Sequence, residues 1–358
     1  MDNALKLEGL GYDVFFESNR GTDGLAVARV IAEHRGAYRV KNTDGEYMAK
    51  ITGKHMFNAL SREDYPAVGD WVAITDLGNE RATIHRVLPR KTKIKRKYSN
   101  RNEIQVIAAN VDVAFAIESV DRDYNLNRFE RYLTIAKDGG IKLAIILNKI
   151  DLISKEELES MINQTKNRFS NIDFIPTSTL TNEGLDALRA YIEKGKTYCF
   201  LGSSGVGKSS LINKLIGKDI IKTSEIGIQA GRGRHTTTSR GMYFLEDGGI
   251  VIDNPGMREV GMTEVGDGIK SLFDEITLIA QKCKYVDCTH IHEPGCAVLS
   301  AVKSGQLDED KYRSYLNLKK EAEHYEMTKL EKRQKSNEFG KYIKKAKGQL
   351  RRYRHKDY

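Results

Sequence analysis

Short, strand-length runs of apolar and β-branched residues fill the first ninety positions. Leu25-Ala26-Val27-Ala28-Arg29-Val30-Ile31, Ala37-Tyr38-Arg39-Val40, Glu46-Tyr47-Met48-Ala49-Lys50-Ile51 and Trp71-Val72-Ala73-Ile74 are separated by turn-forming stretches such as Asn42-Thr43-Asp44-Gly45 and Pro66-Ala67-Val68-Gly69-Asp70. Closely spaced strands with turn signals between them predict a small β-barrel, and five strands of the OB type fit its length. Trp71, the single tryptophan, reads as core rather than as a platform for stacked bases. The pattern changes at Asn110. Asn110–Ile117 and Lys142–Leu147 are continuous apolar runs of the kind buried on both faces of a sheet. Helical spacing runs through Arg128–Ala136 between them, and a further helix precedes the strand Asp173-Phe174-Ile175-Pro176. Strand and helix alternate again at Tyr198–Leu201 and Ser210–Leu215. This alternation predicts a parallel sheet with helices on both faces. Arg90–Lys97 reads as a basic connector between units, and Tyr312–Lys335 as a charged helix. The expected division is a barrel over residues 1–97, an α/β domain over 98–265 and a helical module over 266–358.

Charge sharpens that division. The chain of 358 residues carries a net charge of +9, yet from Lys329 onward twelve Lys or Arg stand against three Asp or Glu. The other 328 residues therefore hold 46 of each sign, and the whole excess lies on a C-terminal arm. A local basic element points to an anionic partner, nucleic acid first. No apolar run approaches a membrane span and the N-terminus has no signal-peptide character, so no membrane partner is expected. Four cysteines are too few for a disulfide framework, which points to a reducing, cytoplasmic setting.

The chemistry centres on Gly202-Ser203-Ser204-Gly205-Val206-Gly207-Lys208-Ser209, followed by Ser210. Strand, glycine-rich loop and helix in this order form a phosphate cradle of backbone N–H groups at a helix N-terminus. Lys208 would reach the outer phosphates, and Ser209 would offer its hydroxyl to Mg2+. Upstream, Asn148-Lys149-Ile150-Asp151 ends a strand. A carboxylate at Asp151 accepts from guanine N1–H and the 2-amino group, donors that adenine lacks. Asn148 is expected at guanine N7, the Lys149 stem over the base, and Thr177-Ser178 behind it from the next strand. After the loop come Gly233-Arg234-His235-Thr236-Thr237-Thr238 and Asp253-Asn254-Pro255-Gly256. Asp253 belongs to the magnesium shell, the Gly256 amide to the γ-phosphate, and one of Thr236, Thr237 and Thr238 to a switch that ligates magnesium when the triphosphate is bound. The base readers thus precede the P-loop, the reverse of the usual GTPase order. Cys283-x4-Cys288-x-His290-x5-Cys296 supplies four donors of the type and number for tetrahedral zinc, one per chain, with His292 a lesser alternative to His290.

The permuted order, with Gly-Arg-His-Thr-Thr-Thr and Pro-Ala-Val-Gly-Asp-Trp-Val, resembles the circularly permuted GTPases of the ribosome small-subunit-dependent GTPase A (RsgA/YjeQ) family over nearly the whole chain. Departures are Asp-Asn-Pro-Gly for Asp-Thr-Pro-Gly, Met257 for Phe, and Thr177-Ser178 for Ser-Ala. The resemblance implies a GTPase that binds the small ribosomal subunit and its rRNA and acts late in subunit maturation, as a monomer with GTP/GDP, Mg2+ and Zn2+. It also supports His235 as the catalytic group, since Met257 cannot orient water. Two rival readings are a P-loop ATPase or kinase, and a nucleic-acid-binding protein with a non-hydrolysing nucleotide switch.

Overall fold

The computed structural model describes residues 6–34, 36–97, 104–121, 124–169, 171–221, 241–253 and 266–326. The barrel comprises β1 (Ala26–His34), β2 (Ala37–Lys41), β3 (Glu46–Ile51), β4 (Trp71–Gly78) and β5 (Arg81–Val87), with helix α1 (Val14–Ser18) before it and α2 (Gly53–Asn58) between β3 and β4. Its strands follow the order β1-β2-β3-β5-β4, and β4 returns to pair with β1, so the sheet closes on itself. The β3–β5 pair is parallel and the rest are antiparallel. The OB-type barrel read from the sequence is present. Alternation explains its interior: Ala28, Val30, Val40, Ala49, Val72 and Ile84 point inward and are fully buried. Trp71 is core, as expected, but it faces the other way. It lies under the N-terminal segment, with Tyr12 edge-on at 4.7 Å and Phe16 at 5.9 Å.

The basic stretch read as a connector is a strand. Lys93–Lys97 forms β6, paired antiparallel with β7 (Ile104–Ala109) in a separate hairpin. Ile94 is fully buried while lysines flank it, so one apolar residue in a run of cations anchors the strand. The expected division between residues 97 and 98 falls inside this hairpin.

The α/β sheet has the order β10 (Asp173–Thr177), β9 (Lys142–Asn148), β8 (Val113–Ser119), β11 (Thr197–Gly202), β13 (Ile250–Asp253), β12 (Gly241–Phe244). The first five are parallel, and β12 runs antiparallel to β13. Every residue of β8 is buried, because two layers cover it. Val113, Phe115 and Ile117 meet the layer of α5 (Leu185–Tyr191) and α6 (Lys208–Ile216), and Ala114 and Ala116 meet the layer of α3 (Leu126–Asp138). That double burial is why the run is continuously apolar as far as Ile117, after which β8 ends in the buried polar residues Glu118 and Ser119. Helix α4 (Lys155–Arg168) starts with a capping box, Ser154 accepting from Glu157 N–H while the Glu157 carboxylate accepts from Ser154 N–H.

The C-terminal module packs α7 (Gly266–Leu272), α8 (Asp274–Ala280), α9 (Ala297–Lys303) and α10 (Glu309–Glu326) on the α3 side. Arg131 of α3 pairs with Glu321 at 2.7 Å, and Arg168 bridges Glu130 at 2.8 Å and Asp308 at 3.1 Å.

Barrel and α/β domain share one continuous sheet, joined where Ala32 of β1 pairs with Gly241 of β12. Arg29 reinforces this joint from within. It is 1% exposed, and its guanidinium donates to Leu10 O, to Gly69 O at 3.3 Å, to Asn110 O at 3.3 Å and to Thr197 Oγ1 at 2.8 Å. One side chain thereby ties the N-terminal segment, the barrel, the hairpin's end and the first residue of β11.

Candidate nucleotide-binding site and metal centre

The carboxyl ends of β8, β9, β10 and β11 meet at one edge of the sheet, the position at which open α/β sheets hold ligands. Between β11 and α6 the chain turns at Gly205 and Gly207, with φ of +88° and +97°, left-handed values that favour glycine. A Cβ on Gly202 would stand 2.5 Å from Ile117 O. A Cβ on Gly207 would stand 2.2 Å from Asn148 Nδ2. The glycines therefore serve close packing against the neighbouring strands as well as backbone curvature. Lys208 donates to Gly202 O at 2.8 Å and to Ser203 O, so its ammonium lies within the loop that its residue opens. Ser209 and Ser210 follow in the first turn of α6, both half-buried.

Asn148 ends β9 with no exposed surface. Its Nδ2 donates to Val206 O at 2.8 Å, and its Oδ1 accepts from Thr177 Oγ1 at 3.1 Å. The carboxamide straps the phosphate loop to the base-reading strands. Burial and the close approach of Gly207 hold it in this orientation. Asp151 lies in a helical turn after β9 and accepts from Ser178 Oγ, which in turn accepts from the N–H groups of Leu180 and Thr181 at 3.2 and 3.1 Å. Thr177 and Ser178 are fully buried and act on Asn148 and Asp151. Gly184 supports this corner, since a Cβ there would meet Pro176 O at 1.9 Å.

Asp253 ends β13 at 6% exposure. Burial raises its carboxyl above the usual range, and the Lys208 ammonium works against that rise. This carboxylate sits where a divalent cation would relieve it of its desolvation. With the half-buried Ser209 hydroxyl, it is the pair that would hold Mg2+. His235, Thr237, Thr238 and Gly256 lie outside the described residues, as does the arm from Lys329.

Two participants carried no motif. Tyr132 of α3 brings its hydroxyl within 3.3 Å of Ser203 Oγ in the loop. Asp121, just beyond β8, accepts from Lys149 Nζ at 2.8 Å and from Ser119 Oγ at 2.8 Å. The position of Asp121 after a buried strand's carboxyl end was the one available signal.

The metal ligand atoms of Cys283, Cys288, His290 and Cys296 all lie within 4.8 Å of one another. His290 presents Nδ1, 3.6 Å from Cys283 Sγ and 3.5 Å from Cys296 Sγ. His290 has φ of +65°, and the turn is held by Glu293, which accepts from Thr289, Ile291 and His292 N–H groups. Tyr312 of α10 donates to His290 O at 2.6 Å, docking the turn on the module. Three thiols and one imidazole converging this closely, three of them buried, fit one tetrahedral zinc ion with no open position. His292 is exposed and outside the cluster.

Comparison with known proteins agrees with this geometry. The RsgA GTPase family model matches residues 87–263. A protein of Lactiplantibacillus plantarum named small ribosomal subunit biogenesis GTPase RsgA 2 is 42% identical over 299 residues, 84% of each chain. One of Bacteroides thetaiotaomicron named small ribosomal subunit biogenesis GTPase RsgA 1 is 37% identical over 350 residues, 97% of each. Among solved structures, YjeQ from Thermotoga maritima superposes with a TM-score of 0.60 at 26% identity, covering 82% of this chain and 96% of that one. YloQ, described as a circularly permuted GTPase, shares the fold with a TM-score of 0.57 at 22% identity, over 86% of this chain and 98% of its own.

Proposed function

The chain belongs to the RsgA GTPase family, and on that premise we propose that it binds the small ribosomal subunit and its rRNA and hydrolyses GTP to GDP and phosphate late in that subunit's maturation. The observation that carries this reading is the Asn148–Val206 hydrogen bond, which joins a guanine-reading strand to a phosphate loop across one sheet edge. A kinase or ATPase has no need of a carboxylate such as Asp151 in the turn that follows that strand.

The residues divide the work. Asp151, oriented by Ser178, accepts from the guanine N1–H and 2-amino group, and the Lys149 stem covers the base. The N–H groups of Ser203 to Ser209 line the phosphates, and the Ser210 hydroxyl lies beside them in the first turn of α6. Lys208 exchanges the carbonyls of Gly202 and Ser203 for phosphate oxygens. Ser209 and Asp253 hold Mg2+, which when bound neutralises charge developing on the phosphates. One of Thr236, Thr237 and Thr238, with the Gly256 amide, would report the γ-phosphate, and His235 would orient water in place of Met257. Turnover is then slow alone and rises when the subunit orders these groups. Cys283, Cys288, His290 and Cys296 hold a structural zinc. The protein acts as a cytoplasmic monomer; no described helix is long and apolar enough to cross a membrane.

Phosphate release with and without purified small subunits tests the activity, and Asp151→Asn tests the base reading. The variant loses GTP and gains xanthosine triphosphate, whose 2-oxo group needs a donor. Unchanged GTP affinity in that variant rejects the assignment.

A further inference from the structure

Lys149 differs from the other base readers in how it is held. Asn148 and Asp151 are fixed by Thr177 at the end of β10 and by Ser178 just after it, whereas the Lys149 ammonium is fixed by Asp121 from beyond β8. The anchor is itself well fixed. Asp121 Oδ1 accepts from Ser119 Oγ at 2.8 Å, and its carbonyl accepts from Tyr124 N–H at 3.1 Å. Ser119 pairs with Asn148 across the β8–β9 ladder, so the anchor shares the frame of the base-reading turn. Lys149 has φ of +64°, which turns its side chain out of the ladder direction at the strand's end.

We propose that Asp121 is a positioning residue for guanine-nucleotide binding: it holds the Lys149 stem across the base site before the nucleotide arrives, and so prolongs nucleotide residence. The inference rests on the guanine reading above. A lysine stem has four rotatable bonds, and left free it would lose that freedom on each binding event. Tethering removes the loss beforehand. The pairing also keeps the ammonium off the Asp151 carboxylate two residues along, leaving that group to accept from the base. As a contribution to fold stability alone, the pair would count for little, because both partners are partly exposed, 20% and 31% at their side chains. Its effect therefore belongs in the nucleotide complex, where the base excludes water from one side.

The test is a double-mutant cycle on the full chain, read as release of fluorescent mant-GDP by stopped flow. Asp121→Ala speeds release about three- to tenfold, the range for one net hydrogen bond between partly exposed partners. Asp121→Asn, which keeps an acceptor but no charge, falls between and carries the same comparison should the alanine variant not fold. In a Lys149→Ala background, Asp121→Ala changes release by less than about twofold, because the residue acts through the lysine. The effect also enters KM for GTP far more than kcat. Equal factors in both backgrounds, or no change in release, overturn the proposal. Asp151→Asn assayed alongside separates the layers. If that variant still prefers guanine to xanthine, the base reading falls; if it switches preference while the cycle is additive, only the role of Asp121 falls.

Discussion

Arg29→Lys, which keeps the charge, should destabilise the protein more than Arg29→Met, which removes it. Burial lowers the Arg29 pKa to about 10, with Asp112 and Asp70 pulling it back up from a distance. Set against the ordinary guanidinium value, that downward shift means the group carries its charge at a cost of about 3 kcal/mol. The planar fork offsets the cost by reaching Leu10 O, Gly69 O, Asn110 O and Thr197 Oγ1 in different directions. Methionine removes the cost and deprives Leu10 O, Asn110 O and Thr197 Oγ1 of this donor, at about 1–2 kcal/mol each. Gly69 O keeps a bond from Asn110 Nδ2 at 3.1 Å. The net loss is therefore at most ~3 kcal/mol. Lysine keeps the charge but gathers its donors on one atom, which cannot span the same acceptors, and its loss is about 3–5 kcal/mol. Chemical denaturation of the full chain at pH 7 and pH 9 reads both values. The sign with pH is also determined. A buried lysine has a folded pKa below its unfolded one, so the unfolded state binds more protons between the two values and stability rises with pH. Relative to wild type, Arg29→Lys recovers between pH 7 and 9. Arg29→Met shows no such recovery, because Arg29 stays charged below pH 10. A lysine variant within ~1 kcal/mol of wild type, or a methionine variant worse than the lysine one, refutes the argument.

Gly207→Ala places a Cβ 2.2 Å from Asn148 Nδ2 at a φ of +97°, and should weaken GDP binding at least ~10-fold by equilibrium dialysis. Purified protein should contain about one zinc per chain by elemental analysis, and stripping it with a strong chelator should lower the thermal midpoint, because the Cys283–Cys296 turn supports α9 and α10. Retention of the full midpoint in metal-free protein would count against a structural zinc. Deleting the chain from Lys329 should weaken small-subunit binding in both nucleotide states and flatten its dependence on salt, as measured by pelleting, since the arm carries the whole excess charge. An unchanged salt slope would remove the arm from the interface.

The phosphate loop, the base-reading turn and the metal turn were legible in the amino-acid sequence because each is a local device. Two glycines, a lysine and a serine at fixed spacing build their own geometry, as do three cysteines and a histidine within fourteen residues. The double burial of β8 was legible too, since a strand covered on both faces has no polar positions to alternate. The barrel's alternation announced its strands, but the return of β4 to β1 and the junction of β1 with β12 are pairings between distant segments. The β6–β7 pairing escaped notice because the one buried apolar residue of β6, Ile94, stands among lysines. That Asn148 also holds the loop is not legible from its motif position, because that orientation is set by the closeness of Gly207 and Thr177. Arg29 and Asp121 bear no motif at all, and their roles come from partners up to 168 and 28 residues away. A buried polar group must find a partner, but nothing in its own neighbourhood along the chain says which one. Local spacing therefore determined the chemistry of this protein, while tertiary packing decided which side chains hold that chemistry in place.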